Sequence, residues 1–88
     1  MLENLDQYII DSKCSIKSTM EKIDINGRGF IICTDKNNEI VGIVTDGDIR
    51  RAILKGIDTQ QQIYKIMNKE FYFLKEDYKE KEIIDLFK

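Results

Sequence analysis

The chain has 88 residues, 14 basic and 16 acidic, for a formal charge of −2; 42% are hydrophobic and 34% charged. That length holds one domain with a thin core, because a chain this short buries only about 60–65% of the surface its unfolded form exposes. The balance excludes the basic face that nucleic acid requires, no apolar run approaches the ~20 residues of a membrane helix, and the hydrophobic content argues against disorder.

The opening stretch "MLENLDQYII" is acidic and lacks the basic segment of a secretory signal, so a cytoplasmic location is expected. Residues 5–10, "LDQYII", end in a β-prone run. "CSIKSTMEKIDIN" follows as a helix: Ser15 caps it, Ile16, Met20 and Ile23 form one apolar stripe, and Asn26-Gly27 stops it. "GFIICT", residues 29–34, is a continuous apolar run expected to be a strand buried on both faces. "DKNNE" (35–39) is a turn and "IVGIVT" (40–45) the returning strand of a hairpin. "DGDIRRAILKG" reads as a helix with Ile49, Ala52 and Ile53 on one face, ended by Gly56. "TQQQIYKIMN" is expected to be a further short helix with Ile63, Ile66 and Met67 as its apolar face. "FYFL" (71–74) is strand-like, and "YKEKEIIDLFK" helical with Ile83, Ile84 and Phe87 apolar.

The order strand, helix, strand, strand, helix begins again near residue 68 and stops before a second hairpin. This internal repeat divides the chain into a first unit with its linker helix, residues 1–67, and the start of a second, incomplete unit, residues 68–88.

Chemistry-bearing residues are few. Histidine and proline are absent, which removes the commonest general base and metal ligand. Cys14 and Cys33, the two cysteines, have neither zinc nor redox-pair spacing. Cys33 reads as a small buried hydrophobe; Cys14, before a helix start, also reads as structural.

The informative stretch is "GIVTDGDIRRAILKG", residues 42–56. Thr45 is placed to cap the helix and Asp48 to reach back to it, with Asp46 and Asp48 both complementing the helix dipole. Alternatively, the same helix start offers N–H groups to an anion, Gly47 leaves the backbone open, Asp48 can accept from two vicinal ribose hydroxyls, and Thr45 can donate to a phosphate. Arg50 and Arg51 add positive charge; which of them points at the corner is not legible from sequence. The Asp46–Asp48 pair reads as dipole-complementary charge rather than a Mg²⁺ site.

Gly42-Ile43-Val44-Thr45-Asp46-Gly47-Asp48 resembles the Gly-h-x-Thr/Ser-x-x-Asp signature of cystathionine-β-synthase (CBS) domains. The resemblance implies an α+β fold built on a β-α-β-β-α unit. It also implies a regulatory adenine-nucleotide site for AMP, ADP or ATP: Asp48 on the ribose, Thr45 on phosphate, and residues around Ser15-Ile16 and Phe30-Ile31 lining the base pocket. Together with Gly47 and Arg51, these are the candidate site residues; no catalytic residue, required cofactor or metal is expected.

"SIKSTMEKIDINGRGFIICTD", "GIVTDGDIRRAILKG" and "IYKIMN" look more narrowly like the N-terminal CBS pair of bacterial sugar-phosphate nucleotidyltransferases. A sugar-phosphate isomerase family that also reads "TDGD" is the rival. The expected partners are a second copy in a homodimer and the catalytic domain of a parent chain, with no nucleic acid and no membrane. A ligand-free structural or dimerisation module is the alternative, and an enzyme in its own right the third reading.

Overall fold

The structure, a computed structural model, describes residues 5–70. A 3₁₀ turn (Leu5–Tyr8) leads into strand β1 (Ile9–Asp11), helix α1 (Ile16–Asn26), strands β2 (Phe30–Thr34) and β3 (Ile40–Thr45), and helix α2 (Asp46–Leu54). A three-residue 3₁₀ turn (Ile63–Lys65) follows. The sheet order is β1-β2-β3, with β1 parallel to β2 and β2 antiparallel to β3. This is the expected α+β arrangement. The strand and helix expected over 71–88 lie outside the described residues.

Residues of β2 alternate between two apolar clusters, as the period of two in a strand dictates. Ile31 and Cys33 join Val44, Ile16, Ile23 and Ile49 in one; Phe30 and Ile32 join Tyr8 and Ile43 in the other. All five β2 residues are buried, as its unbroken apolar run predicts. Tyr8 and Phe30 stack with ring centroids 5.9 Å apart.

The turn before β3 is built by Asp35, whose Oδ1 accepts from Asn37 N and Glu39 N at 2.8 and 3.0 Å. Asn38 takes the left-handed φ of 61° that Asn tolerates. Helix α1 starts on Ser15, whose Oγ accepts from Ser18 N at 3.0 Å, and ends on Gly27 with φ 66°. Asn26 does more than stop the helix: its Nδ2 donates to the carbonyls of Gln7 and Phe30, joining the end of α1 to the entry of β1 and the start of β2.

Two stripe expectations are corrected. Met20 and Ile53 are not core residues; they are 38% and 42% exposed. Thr19 instead fills the inward position on α1, its hydroxyl donating to Ser15 O at 2.9 Å so that its burial leaves no unmet polar atom.

The helix expected over 59–68 is also corrected. The carbonyls of Thr59 and Gln61 accept from Lys17 N and Ile16 N at the start of α1, and Ile63 N and Tyr64 N donate to the carbonyls of Cys14 and Ser12. A helix would need those groups for its own bonds, so only the turn Ile63–Lys65 is wound. Asn68 then exchanges backbone bonds with Ile43 on β3. Ile63 and Met67 are buried all the same. No helix among the described residues is long and apolar enough to cross a membrane.

Candidate functional site

At the end of β3, Thr45 takes extended backbone angles and α2 begins at the next residue. The capping box is complete: Asp48 N donates to Thr45 Oγ1 at 3.2 Å, and Thr45 N donates to Asp48 Oδ2 at 2.9 Å. Asp46 N donates to Gly29 O at 3.0 Å, so the loop before β2 braces the corner. Gly29 has φ +79°, which its lack of a side chain permits.

Of the two arginines, Arg51 turns to the corner. Its Nη2 donates to Asp48 Oδ1 at 2.8 Å, and its guanidinium lies over Gly47, where an added β-carbon would stand 3.2 Å from Nη1. Arg50 lines a different surface, an open groove of about 730 Å³ between α1 and α2 walled by Met20, Ile23, Ile49 and Ile53. Glu21, Asp24 and Asp46 also line this groove.

Asp48 and Arg51 border a second cavity of about 270 Å³ on the other flank of α2. Lys55 and Lys65 complete its polar rim; Ala52, Ile57 and Ile66 form its apolar wall. Neither lysine was among the expected site residues. The signal for Lys55 was the spacing 48, 51, 52 and 55, which places these residues along one side of a helix.

Thr45, Gly47, Asp48 and Arg51 therefore come together. The expected base-pocket residues stand apart from both cavities: Ser15 caps α1, while Ile16, Phe30 and Ile31 are buried, with at most 1% exposed. Of these four, Ser15 alone is accessible, being half-buried.

The corner retains bonding capacity. An ionised carboxylate offers about four acceptor sites, and Asp48 uses two, on Thr45 N and Arg51. The Thr45 hydroxyl accepts from Asp48 N, and its own proton has no acceptor among the described residues. The Asp48 side chain is 23% exposed.

Elsewhere the chemistry is quiet. Burial pushes the Cys33 thiol up from 9.0 to about 12, with neighbouring Cys14 adding to the shift, so Cys33 stays a neutral core residue. Among the described residues no three of His, Cys, Asp or Glu gather as a metal site.

The CBS domain family matches residues 6–55, more than half of the chain. An uncharacterized protein of Helicobacter pylori strain J99 is 32% identical over 63 residues, covering 72% of this chain and 19% of that protein. The arabinose 5-phosphate isomerase KdsD of Pseudomonas aeruginosa is 34% identical over 59 residues, covering 67% of this chain and 18% of the isomerase. The chain thus spans about a fifth of the length of these curated relatives. Among solved structures, a CBS domain protein of Pyrobaculum aerophilum complexed with AMP superposes with a TM-score of 0.66 at 19% identity, covering 77% of this chain and 57% of that one. With the β-α-β-β-α unit and the Thr45–Asp48 corner in place, the chain belongs to the CBS domain family.

Proposed function

We propose that this chain is a regulatory, non-catalytic module that binds an adenine nucleotide at the corner between β3 and α2. Asp48 accepts from the ribose hydroxyls, Thr45 donates to phosphate, and Gly47 leaves room for the Arg51 guanidinium beside the ligand. Arg51, shared with Asp48, supplies positive charge, and the base lies on the side of Ser15-Ile16 and Phe30-Ile31, where Ser15 is the accessible residue. The observation that carries this reading is the spare bonding capacity of Asp48, which borders a cavity, and of Thr45, to which it is bonded. The AMP complex of the Pyrobaculum aerophilum protein supports the choice of nucleotide.

Binding regulates an attached enzyme only through different affinities for two of its states. For the parent, the match to KdsD favours a sugar-phosphate isomerase over the nucleotidyltransferase that the sequence resembles.

The test is a thermal-unfolding titration with AMP, ADP and ATP. A ligand of the native state alone stabilises by about 2.7 kcal/mol at one hundred times its Kd. The nucleotide site requires a saturable rise in Tm that Asp48→Asn abolishes. A flat response to millimolar nucleotide leaves the structural reading, which the complete capping box already supports.

Self-association belongs to the same proposal. The α1–α2 groove leaves Met20, Ile53 and Leu54 exposed, and it sets Arg50 beside Glu21, Asp24 and Asp46. A second copy across a two-fold axis meets this surface with opposite charges facing. A monomer mass in sedimentation equilibrium at micromolar to millimolar concentration removes the homodimer.

A further inference from the structure

The cavity beside α2 carries two cations, Lys55 and Lys65, that the nucleotide corner does not explain. Arg51, Lys55 and Lys65 meet there against the single carboxylate of Asp48, in a chain whose formal charge is −2. Arg51 and Lys55 come from α2 and its C-terminal cap, whereas Lys65 comes from the 3₁₀ turn after it. Neither lysine has an ion-pair partner among the described residues. Lys55 gains something from the negative end of the helix dipole. That does not account for Lys65, which a separate element brings to the same opening.

We propose that this cavity is a binding site for a polyphosphate group. Like charges gathered at one concave surface repel one another, and a multiply charged anion relieves that repulsion. The apolar wall of Ala52, Ile57 and Ile66 cannot compete for the cations and excludes water on one side. The volume of about 270 Å³ equals roughly nine water molecules' share of liquid, which suits a short phosphate chain rather than a macromolecule. The arginine fork engages one phosphate group with two N–H donors, and the lysines act as point charges on its neighbours. The site borders the nucleotide corner through Asp48 and Arg51, but it does not depend on that reading, because an inorganic chain has neither base nor ribose.

Inorganic tripolyphosphate, titrated into the ¹⁵N-labelled full chain at constant ionic strength, tests it. The expected result is saturable amide shifts at residues 51, 52, 55, 57, 65 and 66. The double substitution Lys55→Gln with Lys65→Gln should raise Kd about tenfold or more. Both lysines are exposed, so Tm should hold, and Lys55→Arg with Lys65→Arg should retain binding. Non-saturating shifts, an equal response to sulfate, or a Kd that ignores the double substitution each overturn the proposal.

ATP and adenosine distinguish the sources of the group. ATP shifting these same amides while adenosine does not marks a nucleotide tail as an occupant. Tripolyphosphate acting without ATP marks a free phosphate chain; both results uphold the site. A failed nucleotide titration with successful tripolyphosphate binding removes the adenine reading alone.

Discussion

Met67 rests directly on Gly42: a β-carbon at position 42 would stand 2.7 Å from the methionine sulfur and 3.1 Å from the carbonyl oxygen of Asn68. The first glycine of the Gly-x-x-Thr signature therefore makes room for the segment after α2, which crosses β3 at this point. It contacts neither cavity.

Gly42→Ala is expected to destabilise the protein by about 1–3 kcal/mol, the usual cost of overpacking. The Met67 side chain can shift, but the Asn68 carbonyl is held by its exchange with Ile43. Urea unfolding measures the loss. Met67→Ala in the same background should recover part of it, because the two residues share one contact.

Gly47→Ala should behave in the opposite way. Its added methyl meets only the tip of Arg51, an exposed and flexible side chain, and its φ is not left-handed. Replacing a helical glycine by alanine gains about 0.5–1 kcal/mol. The expected outcome is an unchanged or raised Tm, and under the proposed function a weaker nucleotide response because the methyl displaces the Arg51 guanidinium.

Thr45 and Asp48 separate stability from recognition. Thr45→Ala removes the cap and should cost about 1 kcal/mol, a fall in Tm of roughly 4–8 °C for a chain this size. Asp48→Asn keeps an acceptor for Thr45 N and weakens the solvent-screened pair with Arg51, worth about 0.3–0.5 kcal/mol, and the favourable charge at the helix start, worth about as much again. Calorimetric melts of both variants, with and without AMP, check the division.

Cys33 makes stability fall at alkaline pH. Its folded pKa is raised, so the contribution is fully present below the unfolded value of 9.0 and is lost as pH rises toward about 12. In that window the unfolded chain releases a proton that the folded chain retains. Unfolding free energies of the protein and of Cys33→Ala should therefore converge above pH 9, by up to about 1.4 kcal/mol per pH unit. Iodoacetamide at pH 8 should modify half-exposed Cys14 in the folded protein and reach Cys33 only on unfolding.

The hairpin and the corner were legible because their signals are local. Residues 30–34 and 40–45 are short apolar runs around an Asp/Asn turn, and Thr45 and Asp48 have the three-residue spacing of a capping box. Residues 59–68 were not legible as they fold. Ile63 and Met67 are buried as their spacing predicted, but the bonds that decide the backbone run to Ser12, Cys14, Ile16 and Lys17, about forty to fifty residues earlier in the chain. The choice between Arg50 and Arg51 turns on how α2 is rotated against the sheet. Met20 and Ile53 lie at the border of apolar stripes whose width is set by how closely α1 and α2 approach. Lys65 joins Arg51 and Lys55 only because the chain folds back, and no helical spacing reports that.

The return of residues 59–68 has a mechanical consequence. The strap is stitched at one end to the first turn of α1 and at the other to the outer edge of β3. Tension applied to the chain beyond Asn68 loads β3 beside Gly42 first, and passes through the strap to the opening turn of the first helix. Such force and, under the proposed function, a nucleotide would act on neighbouring stretches of the same strand, Gly42 and Thr45.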